Sequence, residues 1–266
     1  MRFDGKILLV TGAGSGIGRA MATGFAARGG RVAAADVNAA NLATLAEEIA
    51  ASGGVVQTIV SDLSLPAAAD GMIAQAMDRF GRIDVLHNNA FGLPPDLQRG
   101  RLAKVGDIVD EVWDYTMQVG LTALMQATRR VIPIMLAQGG GSIVNTASIS
   151  GQFGDFGIGA YNAMKAAVIN FTKTTAIEYA SDNIRCNCIC PGMIETALFR
   201  NSMKIPGFTD AALAAVPAGR LGQPEEMANV AMFLASDLAS YVTGAAFVAD
   251  GGLTAQTGVP TRFRNG

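Results

Sequence analysis

Short apolar runs alternate with longer stretches of helical spacing along nearly the whole chain. Lys6–Val10, Arg31–Asp36, Val55–Val60, Ile83–Asn88, Gly141–Ser148, Ile184–Cys190 and Ala245–Ala249 are apolar-rich and mostly bounded by Gly, Asn, Asp, Ser or Pro. Runs of that length read as buried strands. Between them the pattern predicts helices from Arg19 onward, over 41–51, 72–80, 108–137, 161–178 and 224–236. Pro133 is expected to bend or end the 108–137 helix, because proline cannot donate to the helical ladder. Pro224, followed by Glu225 and Glu226, suits a first helical turn. Strand and helix in strict alternation imply an α/β fold with a parallel, doubly wound sheet and helices on both faces. No internal repeat, low-complexity run or linker divides the chain, so residues 1–266 are expected to form one domain.

Two segments resist this rhythm. Residues 91–106 carry Pro94, Pro95 and three glycines and read as a loop. Residues 193–219 are punctuated by Gly and Pro but hold Met193, Leu198, Phe199, Met203 and Phe208 with little charge. That composition suits a mobile lid over an apolar pocket. The tail 257–266 is polar and expected to be loose or docked on a partner.

Composition narrows the class. Half of the 266 residues are apolar, 32 are glycine and only 16% are charged, as in a compact enzyme with extensive buried surface. The net charge of −2 provides no basic footprint for nucleic acid. No apolar run reaches membrane-spanning length, and the first residues show no leader pattern. Cys186, Cys188 and Cys190 alternate along one strand, which places them on one face as buried thiols. Their spacing fits neither a metal site nor a disulfide framework, so no metal and a cytoplasmic location are expected. The single histidine, His87, lies in a strand and reads as a satisfied core imidazole.

Candidate chemistry begins at Thr11-Gly-Ala-Gly-Ser-Gly-Ile-Gly18, between the first strand and the first helix. Gly12, Ser15, Gly16, Ile17 and Gly18 stand where backbone can approach a pyrophosphate and a helix N-terminus can receive its charge. Asp36 ends the second strand, where a carboxylate can hold both ribose hydroxyls and would repel a 2′-phosphate. No Lys or Arg stands at Ser15 or Val37, so NAD is expected over NADP. Tyr161 and Lys165, four apart on a helix, share a face, and an ammonium beside a phenol favours the phenolate. Such pairs are common on solvated helices and gain weight here only from their surroundings. Ser148, thirteen residues before the tyrosine, closes a strand and can hydrogen-bond a substrate oxygen.

Taken in order, these motifs resemble the short-chain dehydrogenase/reductase family from Lys6 to Gly252. The resemblance is carried by Thr11-Gly-x3-Gly16-x-Gly18, Asp62, Asn88-Asn89-Ala90, Ser148, Tyr161-x3-Lys165, Pro191-Gly192 with Thr196, and Tyr241-Val-Thr-Gly244 before Asp250-Gly-Gly252. It implies a single Rossmann-type domain with a seven-stranded parallel sheet. Tyr161 is then the general acid/base, Lys165 lowers its pKa and binds the nicotinamide ribose, and Ser148 orients the substrate. Asp62 and Leu63 meet the adenine, Asn89 sits beside the cofactor, and Pro191, Gly192, Ile194 and Thr196 flank the nicotinamide. The resemblance also implies a dimer or tetramer built on the two long helices and the last strand.

Two positions depart from the family. Phe91 follows Ala90 where the family usually has Gly, and Gly120 stands where it usually has the Asn of its proton relay. Gly120's carbonyl with an ordered water, Gln118 as a substitute, or impaired catalysis are the three readings of the second departure. The expected activity is hydride transfer between NAD(H) and a small-molecule secondary alcohol or ketone. Phe91, Ile149, Phe153, Phe156, Met193, Leu198, Phe199 and Met203 make the expected pocket apolar and favour a hydrophobic or cyclic substrate. A non-catalytic NAD-binding sensor or scaffold is the alternative, and epimerisation or dehydration a third reading.

Overall fold

The computed structural model describes residues 1–94, 96–97, 102–196, 199–200 and 207–257. Its strands are β1 (Ile7–Thr11), β2 (Arg31–Asp36), β3 (Val55–Val60), β4 (Val85–Asn88), β5 (Gly141–Thr146), β6 (Ile184–Pro191) and β7 (Ala246–Ala249). They form one seven-stranded sheet in the order β3-β2-β1-β4-β5-β6-β7, every pairing parallel. The order reverses between β1 and β4, which opens a crevice beyond their carboxyl ends.

The helices are α1 (Gly16–Ala26), α2 (Ala39–Ala51), α3 (Ala68–Phe80), α4 (Asp110–Met117), α5 (Ala123–Ala137), α6 (Gly159–Tyr179), α7 (Phe208–Ala215) and α8 (Pro224–Ala235). Alternate residues of β1 feed the two sides of the sheet, as the pleat requires. Leu8 and Val10 pack with Met21, Phe25, Leu45 and Met232 on the side of α1, α2 and α8. Leu9 packs with Met72, Val131 and Met135 on the side of α3 and α5. A third cluster joins Leu124, Met164 and Val168 to Cys188 and Cys190. All three cysteines are free and buried, as their alternation implies. No helix of the described residues is long and apolar enough to cross a membrane.

The alternation read from the sequence is therefore borne out, with local corrections. The helix expected over 108–137 runs from Asp110 to Ala137, but Gln118–Thr122 form a π-helical turn that joins α4 to α5. Pro133 lies inside α5 without ending it. Helix α3 begins four residues early, at Ala68, behind Ala67 in the left-handed conformation (φ 62°). Inside the expected 91–106 loop, Ala103 pairs with Ile158 as an isolated bridge. The 193–219 segment contains α7.

Candidate active site

The crevice is bounded on one side by the turn from β1 into α1. Gly12 (φ 66°) has no room for a side chain, since a Cβ there would lie 2.9 Å from the Ala90 Cα. A Cβ on Gly18 would fall 2.2 Å from the Gly12 carbonyl oxygen. Main chain thus passes main chain at distances only glycine permits. Ser15 stands before α1 with its side chain making no capping bond, and the first turn carries no acidic residue. The first N–H groups of α1 therefore face the crevice with their partial positive charge uncompensated, next to Ile17, which packs partly into the core.

Asp36 is held at this turn by two main-chain donors. The Gly14 N–H donates to Oδ2 (2.8 Å) and the Asn38 N–H to Oδ1 (2.8 Å). Beyond the neighbouring strand β3, Asp62 accepts from both the main chain (2.9 Å) and the hydroxyl (2.7 Å) of Ser64. Gln118 donates to the Leu63 carbonyl (3.4 Å), so its amide is committed to the loop after β3. Asn89 donates to the Thr11 carbonyl (3.1 Å), while the Thr11 hydroxyl accepts the N–H groups of Asn89 and Ala90 (2.9 and 3.0 Å). These bonds lock the ends of β1 and β4 together. After β6, Pro191 and Gly192 lead to buried Ile194 and to Thr196. A Cβ on Gly192 would meet Asp250 at 2.6 Å, and one on Gly16 would meet Thr196 at 3.2 Å. The loop after β6 therefore closes over the glycine turn. Of the expected cofactor positions, Gly12, Gly16, Gly18, Asp36, Asn89 and Thr196 are brought together around the turn from β1 into α1.

Lys165 lies beneath the crevice, 3% exposed, and donates to the Thr146 carbonyl at 2.6 Å. Its Nζ sits 5.5 Å from the ring centroids of both Tyr161 and Phe91. Those two rings touch at 5.0 Å and a 56° tilt. Desolvation by burial pushes the lysine pKa down to about 8, against a weaker upward pull from the Cys190 and Cys188 thiols. Ser148 opens the 3-10 turn Ile149–Gly151, which presses on α6 at Lys165: a Cβ on Gly151 would meet the Lys165 carbonyl carbon at 2.6 Å. The serine is thereby seated on the turn that packs against the helix carrying Tyr161 and Lys165.

His87 is fully buried under this site. Its Nε2 meets the Thr146 hydroxyl (2.9 Å), which donates to Asn89 Oδ1 (3.2 Å), so Nε2 carries the proton. The imidazole is therefore in the core, as expected, but only half satisfied: Nδ1 has no partner. Desolvation holds its pKa down near 3, which keeps it neutral.

Of the apolar pocket residues, Phe91 stands against Tyr161, and Ile149 packs with Met164. Phe199 meets Phe208 at 5.6 Å. Phe153 and Phe156 are exposed, and Leu198 and Met203 lie outside the described residues. Sequence reasoning gave Thr11 no role of its own and missed Thr146, Ser150 and Asp155. The only signal for them was a hydroxyl or carboxyl near a strand end, which is common in any loop.

The chain belongs to the short-chain dehydrogenase/reductase family. A family profile described as enoyl-(acyl carrier protein) reductase matches residues 12–254. The chain is 41% identical over 254 residues to a 3-oxoacyl-[acyl-carrier-protein] reductase of Thermotoga maritima, covering 95% of this chain and 99% of that protein. It is 38% identical to a cyclohexanol dehydrogenase of an Acinetobacter strain, covering 96% and 97%. A solved structure of a 7α-hydroxysteroid dehydrogenase complexed with NADH and 7-oxo glycochenodeoxycholic acid superposes with a TM-score of 0.88. It is 31% identical, covering 94% of this chain and 95% of that one.

Proposed function

We propose that the protein is an NAD-dependent oxidoreductase that interconverts a hydrophobic, cyclic secondary alcohol and its ketone. The observation that carries this reading is the single cluster of Lys165, Tyr161 and Phe91, seated against the turn of Ser148 at the mouth of a glycine-built crevice.

The donor set at the crevice suits a dinucleotide: the start of α1 is uncapped by any side chain, and the Asp36 carboxylate is held at the glycine turn. Gly12, Ser15, Gly16, Ile17 and Gly18 would hold the pyrophosphate, Asp36 the adenosine ribose, and Asp62 and Leu63 the adenine. Asn89, Pro191, Gly192, Ile194 and Thr196 would surround the nicotinamide end. The fixed Asp36 carboxylate favours NAD, because a 2′-phosphate would bring negative charge against it. When bound, the cofactor supplies or accepts the hydride.

The chain's own residues manage the proton. Tyr161, as phenolate, takes the hydroxyl proton during oxidation and returns it during reduction. Lys165 favours that phenolate by its charge and reaches the nicotinamide ribose. Ser148 holds the substrate oxygen as charge develops on it. The apolar neighbours Phe91 and Ile149 favour an apolar substrate, and the cyclohexanol and hydroxysteroid dehydrogenase relatives support a ring. An open concavity of about 480 Å³ between α5 and α6, lined by Leu121, Met125, Ala167 and Phe171, suits packing against another subunit in a homotetramer. The three free thiols accord with a cytoplasmic setting.

The test is Tyr161→Phe, assayed with NAD and NADP against aliphatic, cyclic and steroid alcohols by the absorbance of reduced cofactor. Turnover is expected to fall by roughly two to four orders of magnitude, with NAD preferred by the parent protein. Near-normal turnover in the variant sinks the assignment.

A further inference from the structure

Arg19 stands one turn beyond Ser15 on α1, and its N–H donates to the Ser15 carbonyl (3.2 Å). Residues four apart share a helical face, and long side chains lean toward the helix N-terminus. A guanidinium at position 19 is therefore within reach of the glycine turn. Its hydrogen bonds lie elsewhere. Nε and Nη2 both donate to Glu48 Oε2 (3.1 and 2.7 Å), and Nη1 donates to the Asn41 carbonyl and the Thr44 hydroxyl (3.2 Å each). The guanidinium is laid along α2, where Glu48 neutralises it.

This pair stands next to Asp36. A Cβ on Gly14 would lie 2.9 Å from both the Asp36 Cγ and the Asn41 Cβ. The residue whose carbonyl receives Arg19 is thus packed beside the carboxylate at the end of β2. The first turn of α2 carries no acidic side chain. A 2′-phosphate brought to this corner would meet the Asp36 charge, and it would also find the nearby guanidinium spent on Glu48. Arginine matches phosphate with paired N–H bonds, so that commitment matters more than the loss of a point charge. As a brace between α1 and α2 the ion pair stabilises little, because its side chains are 28% and 50% exposed.

We propose that Glu48 is a second determinant of the preference for NAD: by holding the Arg19 guanidinium on α2, it keeps a cation from a 2′-phosphate beside Asp36. This rests on the reading of the crevice as a dinucleotide site with Asp36 at the adenosine ribose. Glu48 touches no cofactor and acts through Arg19. Discrimination then has two parts, a carboxylate that repels the extra phosphate and a second carboxylate that withholds its partner.

The experiment measures dissociation constants of NADH and NADPH by calorimetry, with no substrate present. Glu48→Gln keeps the shape but removes the charge that holds Arg19. NADPH is expected to bind this variant roughly tenfold more tightly, while NADH stays within about twofold of the parent value. Arg19→Gln in the same background should return NADPH to the parent value. An unchanged NADPH constant in Glu48→Gln overturns the proposal. So does a gain that survives the loss of Arg19, since it would come from the missing carboxylate alone. A weakening of both dinucleotides together marks Glu48 as a merely structural brace and overturns it as well.

Asp36→Ser, alone and combined with Glu48→Gln, tells the failure of this proposal from the failure of the reading beneath it. With Asp36 at the ribose, the single variant binds NADH more weakly, and the double variant binds NADPH more tightly than NADH. If Asp36→Ser leaves both constants at their parent values, the assignment of the adenosine end of the crevice fails, and the role of Glu48 with it. If Asp36→Ser weakens NADH but the added Glu48→Gln brings no gain for NADPH, Asp36 keeps its place and the role of Glu48 alone is overturned.

Discussion

Gly120 and Met164 share one space. A Cβ on Gly120 would lie 2.6 Å from the Met164 Cε and 2.7 Å from its Sδ. Both residues are buried, and the glycine sits in the π-helical turn that separates α4 from α5. Methionine on the tyrosine helix thus fills the volume that a side chain at position 120 would take. A cavity of about 10 Å³ remains beside it, lined by Gly120, Asn88, Thr146 and Lys165, close to the least that admits one water.

This relationship decides what Gly120→Asn would do. The new side chain must displace a fully buried methionine, an overpacking that costs about 1–3 kcal/mol and exceeds the roughly 0.3 kcal/mol gained by replacing a helical glycine with asparagine. The single variant is expected to melt at a lower temperature and to show no gain in rate. Gly120→Asn combined with Met164→Ala should recover stability, because the truncated side chain vacates the contested space. If the small cavity and the main chain of the π turn already link Lys165 to solvent, the double variant will match Met164→Ala alone in kcat. A large rate gain over that control would show that the natural chain lacks a working link.

What was legible in the sequence, and what was not, divides along range of interaction. The β1 run, its glycine turn and Asp36 announce themselves through spacing that any dinucleotide crevice requires, and the structure places them at the point where the strand order reverses. Ser148, Tyr161 and Lys165 were found from strand-end position and helical spacing. The π turn was not, because one wide turn barely alters apolar periodicity, and its setting is the contact between Gly120 and Met164, forty-four residues apart. The early start of α3 escaped because Ala67–Ala69 carry no amphipathic signal. Asp155 escaped because loops have no period at all, and its partnership with Ser150 exists only once the turn after β5 is folded against α6.

Phe91 is expected to tune the pH range of the reaction. Its ring is one of two that Lys165 Nζ faces at 5.5 Å, and it also braces the ring of Tyr161. A buried ammonium with no carboxylate beside it draws about 0.5–2 kcal/mol from such a face. Phe91→Leu keeps apolar bulk but removes the ring quadrupole. The lysine should then lose its proton at a pH below the parent value of about 8, and the phenolate should lose its support earlier. In a profile of kcat/KM against pH for alcohol oxidation, the alkaline fall should move down by up to about one unit. Phe91→Tyr should restore the parent profile. An unmoved profile in the leucine variant would show that the ring acts by packing alone.

Lys165 itself should be a stability liability. Its amine holds a proton less tightly in the folded chain, at a pKa of about 8, than in the unfolded chain, at the ordinary 10.5. The unfolded state therefore binds more protons between those values, and stability contributed at this site rises with pH across that window. Below about pH 8 the full net penalty of burying the ammonium is present, of order 3 kcal/mol from the drop in pKa. Lys165→Met removes the charge, keeps the apolar stem and leaves the Thr146 carbonyl without its donor, which returns about 1 kcal/mol of the gain. The variant should be catalytically dead yet more stable than the parent at pH 7 by about 1–2 kcal/mol in urea unfolding. The advantage should shrink as the pH rises from about 8 toward about 10.5, where the parent's lysine no longer differs in charge between its two states. A variant that is less stable at pH 7, or a difference independent of pH, would mean that the ammonium's bonds to Thr146 and the two aromatic faces outweigh its desolvation.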